Sequence, residues 1–416
     1  MSGSKRLVLI DQAVVSGTGF LITVVLVRAL GLGVFGTFAL IELGALFALS
    51  LQQSLLGQPL LTFAPKQPDA QRPSYFAAAL RLELWFTLVL AVLVAGTYGV
   101  YLDHWDAPAT LGTWIPVTLT IVSRQLFAYL RAECFATGRV RRALCLDLLA
   151  HPTALVVLTV IWSRGELTLA RTFWVLGGAA SIACLAALPG VAGRGVKPQS
   201  LRETGAKHWG FARWLAGMSV AQFFASNSFL VAAAALLGAP AAGAIKAAQR
   251  VMGVLHLGFQ AMENVVPVSA ARLLAAEGMT RFRSYLTRIL TLGFLATALI
   301  SAGIAIFARF VLDLVYEGVV DDRMVLGLRA MAVLYVASFT ITVLQIGFRT
   351  LETTRVVFAA YMANTLVAVV SAQPVVERFG YAGAVWGMAA QQGLMAALLL
   401  FEWRRAGLTS ARSSSA

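Results

Sequence analysis

The sequence predicts an all-α polytopic membrane protein with about twelve transmembrane helices in two pseudo-symmetric six-helix lobes, on three observations. First, 59% of the residues are hydrophobic and 12% charged, with a mean hydropathy of +0.79, whereas soluble domains carry about 45–50% apolar and about 25% charged residues. Second, the apolar residues fall in runs that reach the roughly 20 residues a helix needs to cross the hydrocarbon core. Third, a pattern recurs 207 positions along the chain: Leu30-Gly31, Gly36 and Gln53 are matched by Leu237-Gly238, Gly243 and Gln260, with Pro59 and Pro267 following.

The first six runs are Leu7 to Leu30, Val34 to Leu61, Phe76 to Tyr101, Leu111 to Leu130, Leu144 to Trp162 and Leu167 to Leu188. The second six are Phe211 to Leu237, Ala241 to Val268, Tyr285 to Leu312, Met324 to Phe348, Val356 to Val376 and Ala382 to Trp403. A first lobe over 1–190, a basic cytoplasmic linker over 191–210, a second lobe over 211–405 and a short disordered cytoplasmic tail over 406–416 follow from this spacing. Met1 to Leu30 starts with charge like a signal peptide, but its apolar run is too long and no small-residue cleavage site follows, so it is expected to stay as the first helix. The glycines at helix ends and Pro59 and Pro267 are the expected places for bends.

Lys and Arg accumulate in cytoplasmic loops. With the amino terminus inside, the inner side takes 23 of the 33 basic residues, among them Lys5, Arg6, Arg131, Arg139, Arg141, Arg142 and Arg194. The outer side is comparatively acidic, with Asp103, Asp106, Asp313, Glu317, Asp321 and Asp322. Both termini are then cytoplasmic. This topology, together with attraction to anionic headgroups of the bilayer, accounts for most of the net charge of +14, and no nucleic-acid-binding module interrupts the runs. Cys134, Cys145 and Cys184 are odd in number and read as plain thiols.

Charges inside the spans carry the functional signal. A cation at a helix centre costs about 2.5–3.5 kcal/mol and usually faces the bundle interior or a water-filled cavity. Lys246 and Arg250 lie four apart on one face of the eighth span and Arg124 lies in the fourth, a set that suits an anionic ligand. The competing reading is internal pairing: Glu42 occupies the position equivalent to Gln249 and could approach Lys246 or Arg250. For Arg124 pairing or snorkelling toward the inner interface is the stronger reading.

Further polar residues complete a candidate cavity: Arg28, the repeat-related Gln53 and Gln260, Asn227, and Gln345 with Arg349 on one face of the tenth span. Glu42, Glu263 and Asp11 are the acidic groups that would couple an ion or pair with the cations. Small and hydroxyl residues at helical spacing, such as Gln12, Ser16, Gly19 and Thr23, also suit helix packing. Gly238 to Gly243 has two glycines of a phosphate-binding loop, but Ala244 replaces the required Lys and no strand precedes it. His104, His151, His208 and His256 lack ligand spacing, so neither a metal nor another cofactor is expected.

Asp11-Gln12, Ser16, Gly19-Phe20, Arg28-Ala29-Leu30-Gly31, Phe35-Gly36 and Phe38-Ala39-Leu40 resemble the opening of bacterial polysaccharide flippases, members of the multidrug/oligosaccharidyl-lipid/polysaccharide exporter superfamily. The resemblance covers the first two helices and their repeat at helices seven and eight. It implies a non-enzymatic transporter of the bacterial cytoplasmic (inner) membrane that flips a polyprenyl-pyrophosphate-linked oligosaccharide to the outer leaflet by alternating access. Polysaccharide polymerase and glycosyltransferases are the partners it implies. A cation-coupled drug exporter of the same superfamily is the alternative, with a polytopic glycan-handling enzyme ranked below both; export of cations favours acidic cavities, whereas Lys246 and Arg250 favour an anionic cargo.

Overall fold

A computed structural model of the chain describes residues 3–101, 111–191 and 195–413. Asp103, Asp106, His104 and Arg194, used above for sidedness and ligand spacing, lie outside the described residues, as does the end of the tail from 414 onward.

The described secondary structure is helical throughout, with no strand. The first half holds α1 (Gly3–Gln52), a π-helical turn (Gln53–Gly57), α2 (Gln58–Phe63), α3 (Arg72–Tyr101), α4 (Leu111–Ala136), α5 (Val140–Ser163) and α6 (Leu169–Ala187). The second holds α7 (Leu201–Leu237), α8 (Ala239–Ile306), α9 (Ala308–Tyr316), α10 (Asp322–Thr350) and α11 (Thr354–Ser413). Among the described residues eight helical stretches are long and apolar enough to cross a membrane. Three helices are double length and bend at a glycine: α1 at Gly31 (φ 69°), α8 at Gly278 (φ 79°) and α11 at Gly380 (φ 59°). These left-handed φ values are open to glycine without a Cβ penalty. Counting each bent helix as two gives, with α3 to α7 and α10, the twelve segments expected.

The prolines behave differently from the expectation. Pro267 sits inside α8, whose non-helical residue is Gly278, so the glycine and not the proline breaks that helix. Pro59 lies in the first turn of α2, after the π-helical turn, where a residue without an N–H is tolerated. The ninth run stops at Ile306 instead of Leu312, and Phe307 turns the chain into the separate short α9. The basic linker is shorter than read: Ser200 Oγ accepts from the Glu203 amide at 3.3 Å and α7 starts at Leu201. The tail read as disordered continues α11 to Ser413.

Large apolar side chains are exposed in quantity, including Trp85, Val92, Leu299 and Phe310 at 60%, 63%, 76% and 67%. Soluble monomers rarely present such surface; a hydrocarbon solvent accepts it.

The chain divides into two compact units, residues 1–30 with 38–220, and residues 31–37 with 221–416. The boundary therefore falls at 220/221, and a short piece of the first half belongs to the second unit. In the first unit α4 packs on α6 and α3, and α6 on α5, around Leu60, Tyr75, Phe76, Tyr129 and Leu146. In the second, α10 packs on α8 and α11; Phe282, Phe339 and Phe348 fill the core, with Trp403 edge-on to Phe348.

The duplicated pattern is real in three dimensions. Gly31 (φ 69°, ψ 171°) and Gly238 (φ 83°, ψ 176°) share a backbone conformation that opens the second helix of each half. Within the second unit a side chain on Gly36 would collide with the Ala239 carbonyl, and one on Gly243 would collide with the Leu32 carbonyl. Residues 32 and 239 are themselves separated by the repeat length, so the contact is reciprocal, as a two-fold relation requires.

Candidate functional site

The sequence-predicted charges of the first unit pair with one another. Glu42, on the second limb of α1, receives Arg124 of α4, whose Nη1 stands 2.6 Å from Oε1 and 2.5 Å from Oε2. Arg124 is thus neutralised by a carboxylate of its own unit, and pairing accounts for it. Asp11, on the first limb, is 2% exposed and bonds to Arg131, whose Nε donates to Asp147 at 2.6 Å. One guanidinium from α4 therefore bridges carboxylates on α1 and α5, and His151, one turn after Asp147, stands 3.6 Å from the latter. Arg131, counted above among the loop cations, is an interior group of the bundle. The second oxygens, Oδ1, of Asp11 and Asp147 are buried without a hydrogen bond.

Gln53 begins the π-helical turn and folds its side chain over Gly57, which has no Cβ to obstruct it. Its neighbour Gln52 points the other way, into the first unit, and donates to Glu83 Oε2 at 2.9 Å; Thr87 donates to Oε1 at 3.1 Å. Near the start of α3, buried Tyr75 bonds His208 of α7 at 2.9 Å. Arg28 is half-buried.

In the second unit Lys246 is half-buried on α8 and Arg250, one turn on, is exposed and interacts electrostatically with Tyr316 and Tyr335. Gln260 is half-buried, while Glu263 and Arg349 are exposed. Two members of the expected cavity are occupied in packing: Asn227 donates to the Phe223 carbonyl of its own helix at 2.9 Å, and Gln345 donates to Tyr361 at 2.8 Å. Gln391, close by, bonds the Ala225 carbonyl and ties α11 to α7. A cavity of about 540 Å³ opens in this unit between Phe229, Val375, Phe379 and Trp386. Its lining carries no charge, so it is not an anion site.

The candidate residues are thus divided between the units: Arg28, Gln53, Arg124, Glu42 and Asp11 belong to the first, and Lys246, Arg250, Gln260, Glu263, Asn227, Gln345 and Arg349 to the second. Among the described residues no cluster of His, Cys, Asp and Glu could hold a metal ion. Sequence reasoning passed over Asp147 and Glu83, although both lie inside apolar runs and the rule that singled out Glu42 applies to them equally.

The bent-helix repeat, with these intramembrane charges, defines a class of polytopic fold that solved structures contain. No family model matches the sequence, and no curated protein sequence does. An inward-facing multidrug resistance MATE family transporter of the MOP superfamily superposes with a TM-score of 0.78 at 14% identity, covering 96% of each chain. The lipid II flippase MurJ, in an inward closed conformation, gives 0.74 at 11%, covering 95% of this chain and 87% of its own. A MOP superfamily transporter from Pyrococcus furiosus, described as having a binding pocket of reverse polarity, gives 0.65 at 12%, covering 98% and 96%. The chain has the fold of MOP superfamily transporters.

Proposed function

We propose that this protein is a flippase that carries a polyprenyl-pyrophosphate-linked oligosaccharide from the inner to the outer leaflet of a bacterial cytoplasmic membrane by alternating access. The observation that carries this reading is the pair Lys246 and Arg250, one turn apart in an apolar helix of the second unit. Cations at such a position are costly unless they serve a ligand or a partner, and a pyrophosphate rewards both. Desolvating the headgroup in hydrocarbon would be prohibitive; cationic side chains in a hydrated cavity remove that obstacle while the prenyl tail stays in lipid. The fold shared with a lipid II flippase supports a lipid-linked cargo.

A cation-coupled exporter is the second reading, favoured by the buried acids Asp11 and Asp147. Arg131 already supplies these acids with a counter-charge, which supports an anionic cargo over a cationic one.

The test replaces Lys246 and Arg250 together by Gln in the full-length chain, and follows lipid-linked sugar on each leaflet of spheroplasts. Accumulation on the cytoplasmic leaflet at normal protein abundance is expected; unchanged export at that abundance defeats the assignment.

A further inference from the structure

Glu83 has no exposed surface, and its contacts differ in kind from those of Asp11, Asp147 and Glu42. Asp11, Asp147 and Glu42 each meet an arginine. Glu83 meets two neutral donors, Gln52 Nε2 at 2.9 Å and Thr87 Oγ1 at 3.1 Å. The amide oxygen of Gln52, Oε1, is buried and accepts no hydrogen bond. A carboxylate shielded from water and held by neutral groups alone is strongly disfavoured, and such a group takes up a proton instead. A protonated carboxyl then has an O–H to donate, and the amide that already donates to Oε2 carries an unfilled acceptor, Gln52 Oε1.

The surrounding charges leave this balance intact. Tyr129 of α4 interacts electrostatically with Glu83, with Glu133 of its own helix and with Tyr75 of α3. Tyr75 in turn holds His208 of α7, beside Lys207, whose ammonium lies over the Phe63 ring at 4.7 Å. On α4 the guanidinium groups of Arg124 and Arg131 are bonded to Glu42 and to Asp11 with Asp147. Arg81 on α3 and Lys66, in the 3-10 turn Ala64–Lys66 that follows α2, are exposed.

The second half of the chain shows that the fold does not require a polar group here. The repeat register of 207 carries into this helix: Tyr75 matches Phe282 and Ala79 matches Leu286, all four buried. In the same register Gln52, Glu83 and Thr87 correspond to Phe259, Leu290 and Phe294. Phe259 and Leu290 belong to one apolar cluster. One half thus places hydrocarbon, Phe259 and Leu290, where the other places an amide and an acid, while Phe294 is exposed and Thr87 buried.

Gln52 also stands at a join in the backbone, where α1 gives way to the π-helical turn Gln53–Gly57. Such turns are rare and concentrate at functional sites. Return of these residues to α register would rotate Gln52 against the chain beyond Gly57, withdrawing the acceptor from the carboxyl.

We propose that Glu83, with Gln52 and Thr87, is an intramembrane proton-binding site: the carboxyl holds a proton while the π-helical turn is formed and releases it to water when that turn changes register. The site is independent of the cargo proposed above.

Infrared difference spectra of the full-length protein in lipid nanodiscs, acid minus alkaline, test this directly. A carboxylic-acid carbonyl band that titrates with pH, disappears in Glu83→Gln and persists in Asp11→Asn is expected, with a loss of about one proton taken up per chain in a weakly buffered pH jump. Glu83→Leu, which copies Leu290, is expected to fold and to lose the same band. A band that survives in Glu83→Gln, or unchanged proton uptake, overturns the proposal. So does failure of both variants to fold, which would make Glu83 a structural residue. A failure of glycan export in the Lys246 and Arg250 variant leaves this readout untouched.

Discussion

Gly36 and Gly243 pack backbone to backbone: a β-carbon placed on either would lie 3.1 Å from the amide nitrogen of the other, besides colliding with a carbonyl oxygen. Their mutual contact is the closest expression of the sequence repeat, since each glycine serves the other's helix in the same way. Small residues let membrane helices approach this closely.

Gly36→Ala and Gly243→Ala are each expected to destabilise the protein by about 1–3 kcal/mol, the usual cost of overpacking, because the obstructing atoms are backbone and cannot swing aside. The double variant should cost less than the sum of the two, as neighbours in contact do. Gly44→Ala, where nothing lies within 4 Å of the added carbon, is the control and should melt like the unaltered protein. Thermal unfolding in detergent, followed by size-exclusion chromatography, measures all four.

Removing the guanidinium that bridges Asp11 and Asp147 leaves two buried carboxylates facing each other. Arg131→Gln is expected to cost about 3 kcal/mol, the low end for a broken buried pair, since Arg131 keeps 32% of its side chain exposed. Adding Asp11→Asn and Asp147→Asn should restore most of the loss. Equal melting temperatures for the single and triple variants would show that the bridge does not hold α1, α4 and α5 together.

Arg124 and Glu42 form an ion pair within the first unit, one guanidinium nitrogen shared between both carboxylate oxygens. A double-mutant cycle with Arg124→Gln and Glu42→Gln is expected to give a coupling of about 1–3 kcal/mol, the range for contacting residues. A coupling near zero would return Arg124 to the set of cations available to a ligand.

Cys145 is exposed near the start of α5, whereas Cys134 and Cys184 are buried. A maleimide should therefore modify Cys145 alone in the folded protein, and all three only after unfolding. With a membrane-impermeant reagent, labelling of inside-out vesicles but not of intact cells is expected if the basic α4–α5 turn is cytoplasmic. Mass spectrometry of tryptic peptides reads both results.

The helical class and segment count were legible because hydrocarbon imposes a length on every apolar run, and the repeat was legible because glycine is needed wherever Gly31 and Gly238 take a positive φ. The break at Gly278 was harder to see: its flanks are polar, and the nearby Pro267 offered a more familiar cause. Charge pairing was only half legible. Lys246 and Arg250 stood out by their spacing, but the partners of Asp11 and Glu42 come from α4, more than eighty residues away, and no local pattern encodes which arginine arrives. Glu83 was missed for a related reason. A single acid in an apolar run announces itself only when its neighbours prove to be neutral, and one of them, Gln52, comes from 31 residues away.

A duplicated fold can carry a buried acid in one copy while the other copy keeps the apolar version of the same helix. The copy with Phe259 and Leu290 packs these places with aromatic and aliphatic side chains, so the other copy is not bound to a polar group by the fold. Divergence between the copies thus allows one half to preserve architecture while the other acquires chemistry, so functional surveys of this chain should begin where the two copies disagree most in polarity.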